Sequence, residues 1–371
     1  MLGKPNVCLI LNSQHRLLAP LDHVRHPLLM PFLSRCVLYY LLRRCREAGL
    51  DSVLILLDDA LYRQLDSLRQ QVAGLALNIE WMLYGDQPHV RTRLMELLQE
   101  DDPVLVCQNP ALDVMPLADL LRFHASQQSD CSLRLAESKN GQSVWLDVEN
   151  LVTTQPQGQA YCDTRCYLME ADIFEALLSN SVNLMRQALL PCLLEVAQYI
   201  TGLPSPAYWS EWHQPQDYFK SQHQVLAEGL MLPAHHGQRR NPKATVWLGE
   251  DVLIDASVRF AGPVVIGDQV LIAEGVKIQG PAVIGSACRI QSQSEIRQSW
   301  IWPGSQIERD CQIYQSWLGE QVLVQANSRL EGLWIADHAR VRLPQGLPPE
   351  TILGPWSVLD LSPSAFRSHE I

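Results

Sequence analysis

From Leu248 to Val341 a large apolar residue returns every six positions: Leu248, Ile254, Phe260, Ile266, Ile272, Ile278, Ile284, Ile290 and Ile296, then Ile301, Ile307 and Ile313, then Leu318, Val324 and Leu330, then Ile335 and Val341. Two positions before most of them stands a second small or β-branched residue, among them Val252, Val264, Val270, Val276, Cys288, Ser294, Ser305 and Cys311. A helix repeats near ~3.6 residues and a strand near ~2, so this period predicts short strands separated by regular corners. Repeats of this kind predict a parallel β-helix, each coil stacked on the last around an aliphatic core. Steps of five from Ile296 to Ile301, Ile313 to Leu318 and Leu330 to Ile335 shorten the later coils by one residue at one corner. Just ahead of those closing aliphatics stand Trp300, Trp317 and Trp334, with Trp247 at the equivalent place in the first coil. Alternation along a strand turns these indoles outward and predicts a ladder. The ladder either packs beneath the C-terminal tail or the N-terminal domain, or forms a subunit or partner interface.

Upstream the period changes. Residues 6–12, 53–57, 79–84 and 103–108 read as strands, alternating with helical patterns near 34–49, 59–72, 90–99 and 115–125. Strands and helices alternating at this spacing predict a mostly parallel sheet covered on both faces. Later strands (CSLRLAE, SVWLDV, CYLME) and helices near 171–179 and 185–200 complete this region. The expected organisation is an α/β domain over 1–230, a linker over 231–243, the β-helix over 244–342, and a tail over 343–371 that caps the last coil.

Composition narrows the class. The 371 residues are 47% hydrophobic and carry a net charge of -11, which excludes a nucleic-acid or anionic-membrane surface. No apolar run reaches the roughly 20 residues needed to cross a bilayer, and no secretory leader opens the sequence, so a cytoplasmic protein is expected. Ten cysteines, Cys162 and Cys166 among them, lack metal-binding spacing and read as reduced core thiols.

The segment LILNSQHRLLAPLDHVRHPLLMPFLSRC, followed by a helix, Ala48-Gly49 and a strand, is similar to the opening of the sugar-1-phosphate nucleotidyltransferases. YWSEWHQPQDYFKSQHQVL resembles that family's later Tyr-Trp-x-Asp motif. These enzymes make nucleotide sugars from a nucleoside triphosphate and a sugar phosphate. The resemblance implies a Rossmann-like nucleotidyltransferase domain followed by a left-handed β-helix.

The family's chemistry is altered at matching positions. No glycine occurs between Gly3 and Gly49, where a glycine-rich loop would close its N–H groups on a triphosphate. Arg16 stands near the loop arginine, and the Pro-Lys-Pro lysine falls on His26, beside Arg25. A Gly-Thr-Ala motif becomes Arg91, Thr92 and Arg93, and the metal-binding aspartate falls on Asn109 or Pro110, with Asp113 the nearest carboxylate. Glu-Lys-Pro becomes Thr154, Gln155 and Pro156, Asn-Ala-Gly becomes Asp163, Thr164 and Arg165, and the second metal aspartate becomes Glu211.

Phosphoryl transfer rests on positioning and charge neutralisation, so these replacements predict lost activity, with no cofactor needed. The expected role is a scaffold, sensor or regulatory subunit in nucleotide-sugar or polysaccharide synthesis, as a homo-oligomer or in complex with a related protein. Arg16, Arg25, Arg91, Thr92, Asp163 and Arg165 are the candidates for holding a sugar phosphate or nucleotide sugar. An active enzyme would instead use Glu211 and Asp113 for Mg²⁺. A third reading, a hexapeptide-repeat acyltransferase, needs a histidine base, and His338 is the one histidine within the coils.

Overall fold

The computed structural model describes residues 6–11, 29–33, 35–85, 88–96, 98, 102–108, 112–137, 143–156, 159–180, 183–184, 187–212, 215–227 and 246–361. The chain forms two compact units, one of Met1–His15 with Val37–Glu211, the other of Arg16–Cys36 with Trp212–Ile371. The boundary expected at 230 therefore falls inside the second unit, and so does the helix Pro215–Ala227. The physical reason is its apolar face: Tyr218 is fully buried and meets Phe32 and Trp302 within that unit. The 231–243 linker and residues 362–371 lie outside the described residues.

In the first unit the apolar run after Asn6 becomes the strand Asn6–Leu11, paired in parallel with Ser52–Leu57 and Val104–Gln108. Asn78–Leu83 extends this parallel half beyond Ser52–Leu57. Such near-continuous aliphatic runs suit strands buried on both faces. The other half is antiparallel: Tyr161–Met169 pairs with Val104–Gln108, Cys131–Glu137 and Ser143–Leu146. Ile200–Pro204 then lies parallel to Cys131–Glu137. The helix Val37–Glu47 stops at Gly49, whose φ of 79° is a conformation open to glycine at little cost.

In the second unit the six-residue period builds three parallel stacks of strands. Leu248, Ile266, Ile284, Ile301, Leu318 and Ile335 align coil on coil, and Ile254, Ile272, Ile290, Ile307, Val324 and Val341 do so on the next face. Their side chains form one continuous core. The small residues two positions earlier lie inside the corners. Ser305 donates to the Gly319 carbonyl at 2.8 Å and accepts from the Val322 N–H at 3.1 Å, so a hydroxyl bonds the backbone of the next coil.

The stack continues past 342. Ile352–Leu353 and Val358–Asp360 pair in register with Trp334–Ile335 and Arg340–Arg342, so the tail expected to cap the last coil supplies another one. Its strand edges place Leu353 and Leu359 against the core and leave Ile352 and Val358 exposed, as alternation requires.

Candidate functional site

Three of the sequence-predicted residues, Asp163, Arg165 and Glu211, meet around an irregular strand. Tyr161–Met169 loses register with Cys131–Glu137 between Asp163 and Tyr167, and Arg165 adopts φ 59° within that bulge. Bulges re-aim side chains, and a non-glycine residue with a left-handed backbone persists where its surroundings hold it. Here Asp163 holds it: its carboxylate accepts from the Arg165 N–H at 2.8 Å and from the Tyr167 hydroxyl. Burial pushes Asp163 above the ordinary carboxylate value, while those two hydrogen bonds pull it back. The Arg165 guanidinium in turn pairs with Glu211 at 3.0 Å.

Asp113 lies on the strand Leu112–Asp113, paired with Trp209–Ser210, which brings it into the segment leading to Glu211. Its carboxylate is 8% exposed and is met by Arg44 at 3.2 Å and Arg134 at 3.6 Å. The Met115 N–H also donates to it, at 3.0 Å. Burial pulls the wholly enclosed Arg134 guanidinium below its ordinary value, and Asp113 opposes that shift.

Both carboxylates proposed for Mg²⁺ are therefore bonded to arginine. A hard cation needs several oxygen ligands, and a guanidinium beside each carboxylate repels it. Among the described residues no cluster of three His, Cys, Asp or Glu could hold a metal ion. Neither Asp113 nor Glu211, so paired, fits the ion. Sequence spacing could not reveal Arg44, 69 residues before Asp113.

Arg91 and Thr92 are exposed on the helix Pro88–Glu96, and Arg93 pairs with Glu80 and Glu96. Gln155 is exposed and its N–H donates to the Thr153 hydroxyl in a local turn. Arg16, Arg25, His26 and Asn109 lie outside the described residues. Nine of the ten cysteines are buried, and burial pushes Cys8, Cys45 and Cys288 up to about 12, leaving them protonated and unreactive.

In the second unit Trp300, Trp317 and Trp334 align in register as a ladder, with Trp247 on the same face. Trp300 and Trp317 are 7% and 2% exposed, covered by the chain's own helix Pro215–Ala227. Phe219 of that helix meets all three rungs, with ring centroids 5.5, 6.2 and 4.7 Å away. Of the two readings of the ladder, internal packing accounts for Trp300 and Trp317, and the covering element is this helix. His338 stacks on Trp356 with centroids 4.0 Å apart, at a corner where its φ is 62°.

Residues 245–280 match the family model for the bacterial transferase hexapeptide, six repeats. No curated protein matches the sequence. Among solved structures, a Bacillus anthracis protein assigned as a glucose-1-phosphate thymidylyltransferase, solved with sucrose, is 9% identical with a TM-score of 0.49, covering 59% of this chain and 94% of its own. HddC from Yersinia pseudotuberculosis is 14% identical with a TM-score of 0.48, covering 60% of this chain and 99% of its own. Among the described residues no helix is long and apolar enough to cross a membrane. A mixed Rossmann-like sheet and a β-helix of hexapeptide repeats make up the architecture of this chain.

Proposed function

We propose that this protein is a nucleotidyltransferase-like scaffold or regulatory subunit of nucleotide-sugar or polysaccharide synthesis, acting in the cytoplasm as an oligomer or beside an active relative, and that it has lost turnover. The observation that carries this reading is the fate of its two candidate metal carboxylates. Asp113 is shared by Arg44 and Arg134, and Glu211 is paired with Arg165. A nucleotidyltransferase needs a divalent ion between carboxylates and the triphosphate, because transfer is driven by charge neutralisation and in-line positioning. Arginines in that place satisfy both carboxylates, and no other cluster of metal-ligating residues stands among the described residues.

The test is pyrophosphate release with Mg²⁺, a panel of nucleoside triphosphates and a panel of sugar 1-phosphates. Release at the rate of the enzyme-free blank is expected, together with no rise in Tm when Mg²⁺ and triphosphate are added, since a ligand that binds the folded state would raise it. Turnover that Glu211→Ala abolishes would overturn the proposal.

A further inference from the structure

The shortened corners of the β-helix border a cleft of about 420 Å³ that lies wholly within the second unit. One wall is a helix face: Gln216, Phe219, Lys220 and His223 are spaced at three and four residues on Pro215–Ala227. The facing wall is built from the coils. Gln298 and Gln315 occupy the shortened corners, both with left-handed backbone, at φ 47° and 46°. Beside them stand the rungs Trp300, Trp317 and Trp334. The volume is that of a small-molecule site, and a mostly apolar lining with a few converging polar groups is what such sites share.

We propose that this cleft binds a flat aromatic ring bearing a single negative group. Four aromatic side chains line it, and Phe219 and Trp334, only half-buried, present surface to it, which favours a ring over an aliphatic chain. Lys220 is the one ammonium among the described lining residues, and none of them is a carboxylate, which selects one anionic substituent. The Gln315 amide donates to the Gln298 carbonyl oxygen at 3.2 Å, and that bond uses one donor of one carboxamide and one lone pair of the other. What is left can meet the polar edge of a ring.

This inference is independent of the fate of the carboxylates in the first unit. It is tested on the whole chain with 1-anilinonaphthalene-8-sulfonate and its uncharged counterpart N-phenyl-1-naphthylamine, read by energy transfer from tryptophan. One saturable site per chain is expected, with the sulfonate bound about fivefold more tightly than the neutral dye, the size of a solvent-accessible charge pair. Lys220→Gln should erase that preference and leave the neutral dye's affinity unchanged. Trp334→Ala should weaken both dyes by about tenfold, with Trp334→Phe as the variant to use if the alanine chain does not fold. Absence of saturable binding, equal affinity for the two dyes in the unmodified protein, or binding that both variants leave unchanged would each overturn the proposal, the last by showing the dye adventitious and bound elsewhere.

Discussion

Asp113 is one buried anion between two buried cations, Arg44 and Arg134. Removing its charge while keeping its shape, as in Asp113→Asn, leaves two guanidinium groups without a counter-ion in an interior that cannot solvate them. The loss should be about 3 to 5 kcal/mol, read from urea unfolding midpoints. A second buried group carries a pH signature. His124 bonds Ser132 through Nδ1 at 2.9 Å and Glu170 through Nε2 at 3.0 Å. Burial holds its pKa below the ordinary 6.5, with Glu170 opposing. Below that ordinary value the unfolded chain takes up a proton that the folded chain refuses, so stability falls as pH drops; above it the term vanishes. Unfolding midpoints measured between about pH 7 and about pH 5 should therefore decline, and His124→Gln should flatten that decline. At this scale the sequence revealed identities but not partners. Glu211 and Asp113 were readable as candidate ligands, whereas the arginines that bind them come from distant segments and carry no spacing signal.

Among elements, the β-helix coil is the most legible because its period repeats the same steric demand many times. Each aliphatic predicted to face inward does so, from Ile266 through Val341. The serines among the small residues were read by size, but their role is a bond. Ser305→Val restores the β-branched residue used at Val270 and Val276, yet it strips the Val322 N–H of its acceptor and the Gly319 carbonyl of a donor. A loss of about 1 to 3 kcal/mol is expected in thermal or urea unfolding. The covering helix was harder to place, because its apolar face is interleaved with Lys220 and His223 and its target lies far along the chain. Trp317→Ala tests that contact. The ring touches Trp302 at 4.4 Å as well as Phe219, so its removal should cost about 3 to 5 kcal/mol and raise hydrogen exchange in Pro215–Ala227.

For the whole molecule, the alternation of strand and helix disclosed the parallel half of the sheet. The later strands CSLRLAE, SVWLDV and CYLME were legible as strands, but their antiparallel pairing was not, because no period encodes strand direction. The end of the stack was also hidden, since prolines in residues 343–355 mask the pairing of Ile352–Leu353 with Trp334–Ile335. The hydroxyls of Ser294, Ser299, Ser305 and Ser316 each accept from an N–H 17 residues further on, as Ser299 does from Ser316. That spacing imposes a length grammar on the gene. Excising residues 317–333 removes one full turn of 17 and slides Trp334 into the slot of Trp317, so every downstream side chain keeps its orientation. Dropping the same stretch less one residue would turn each following side chain to the opposite face. Cooperative melting of the first deletion and aggregation of the second are the expected results, and insertions tolerated here over evolutionary time must come in complete windings.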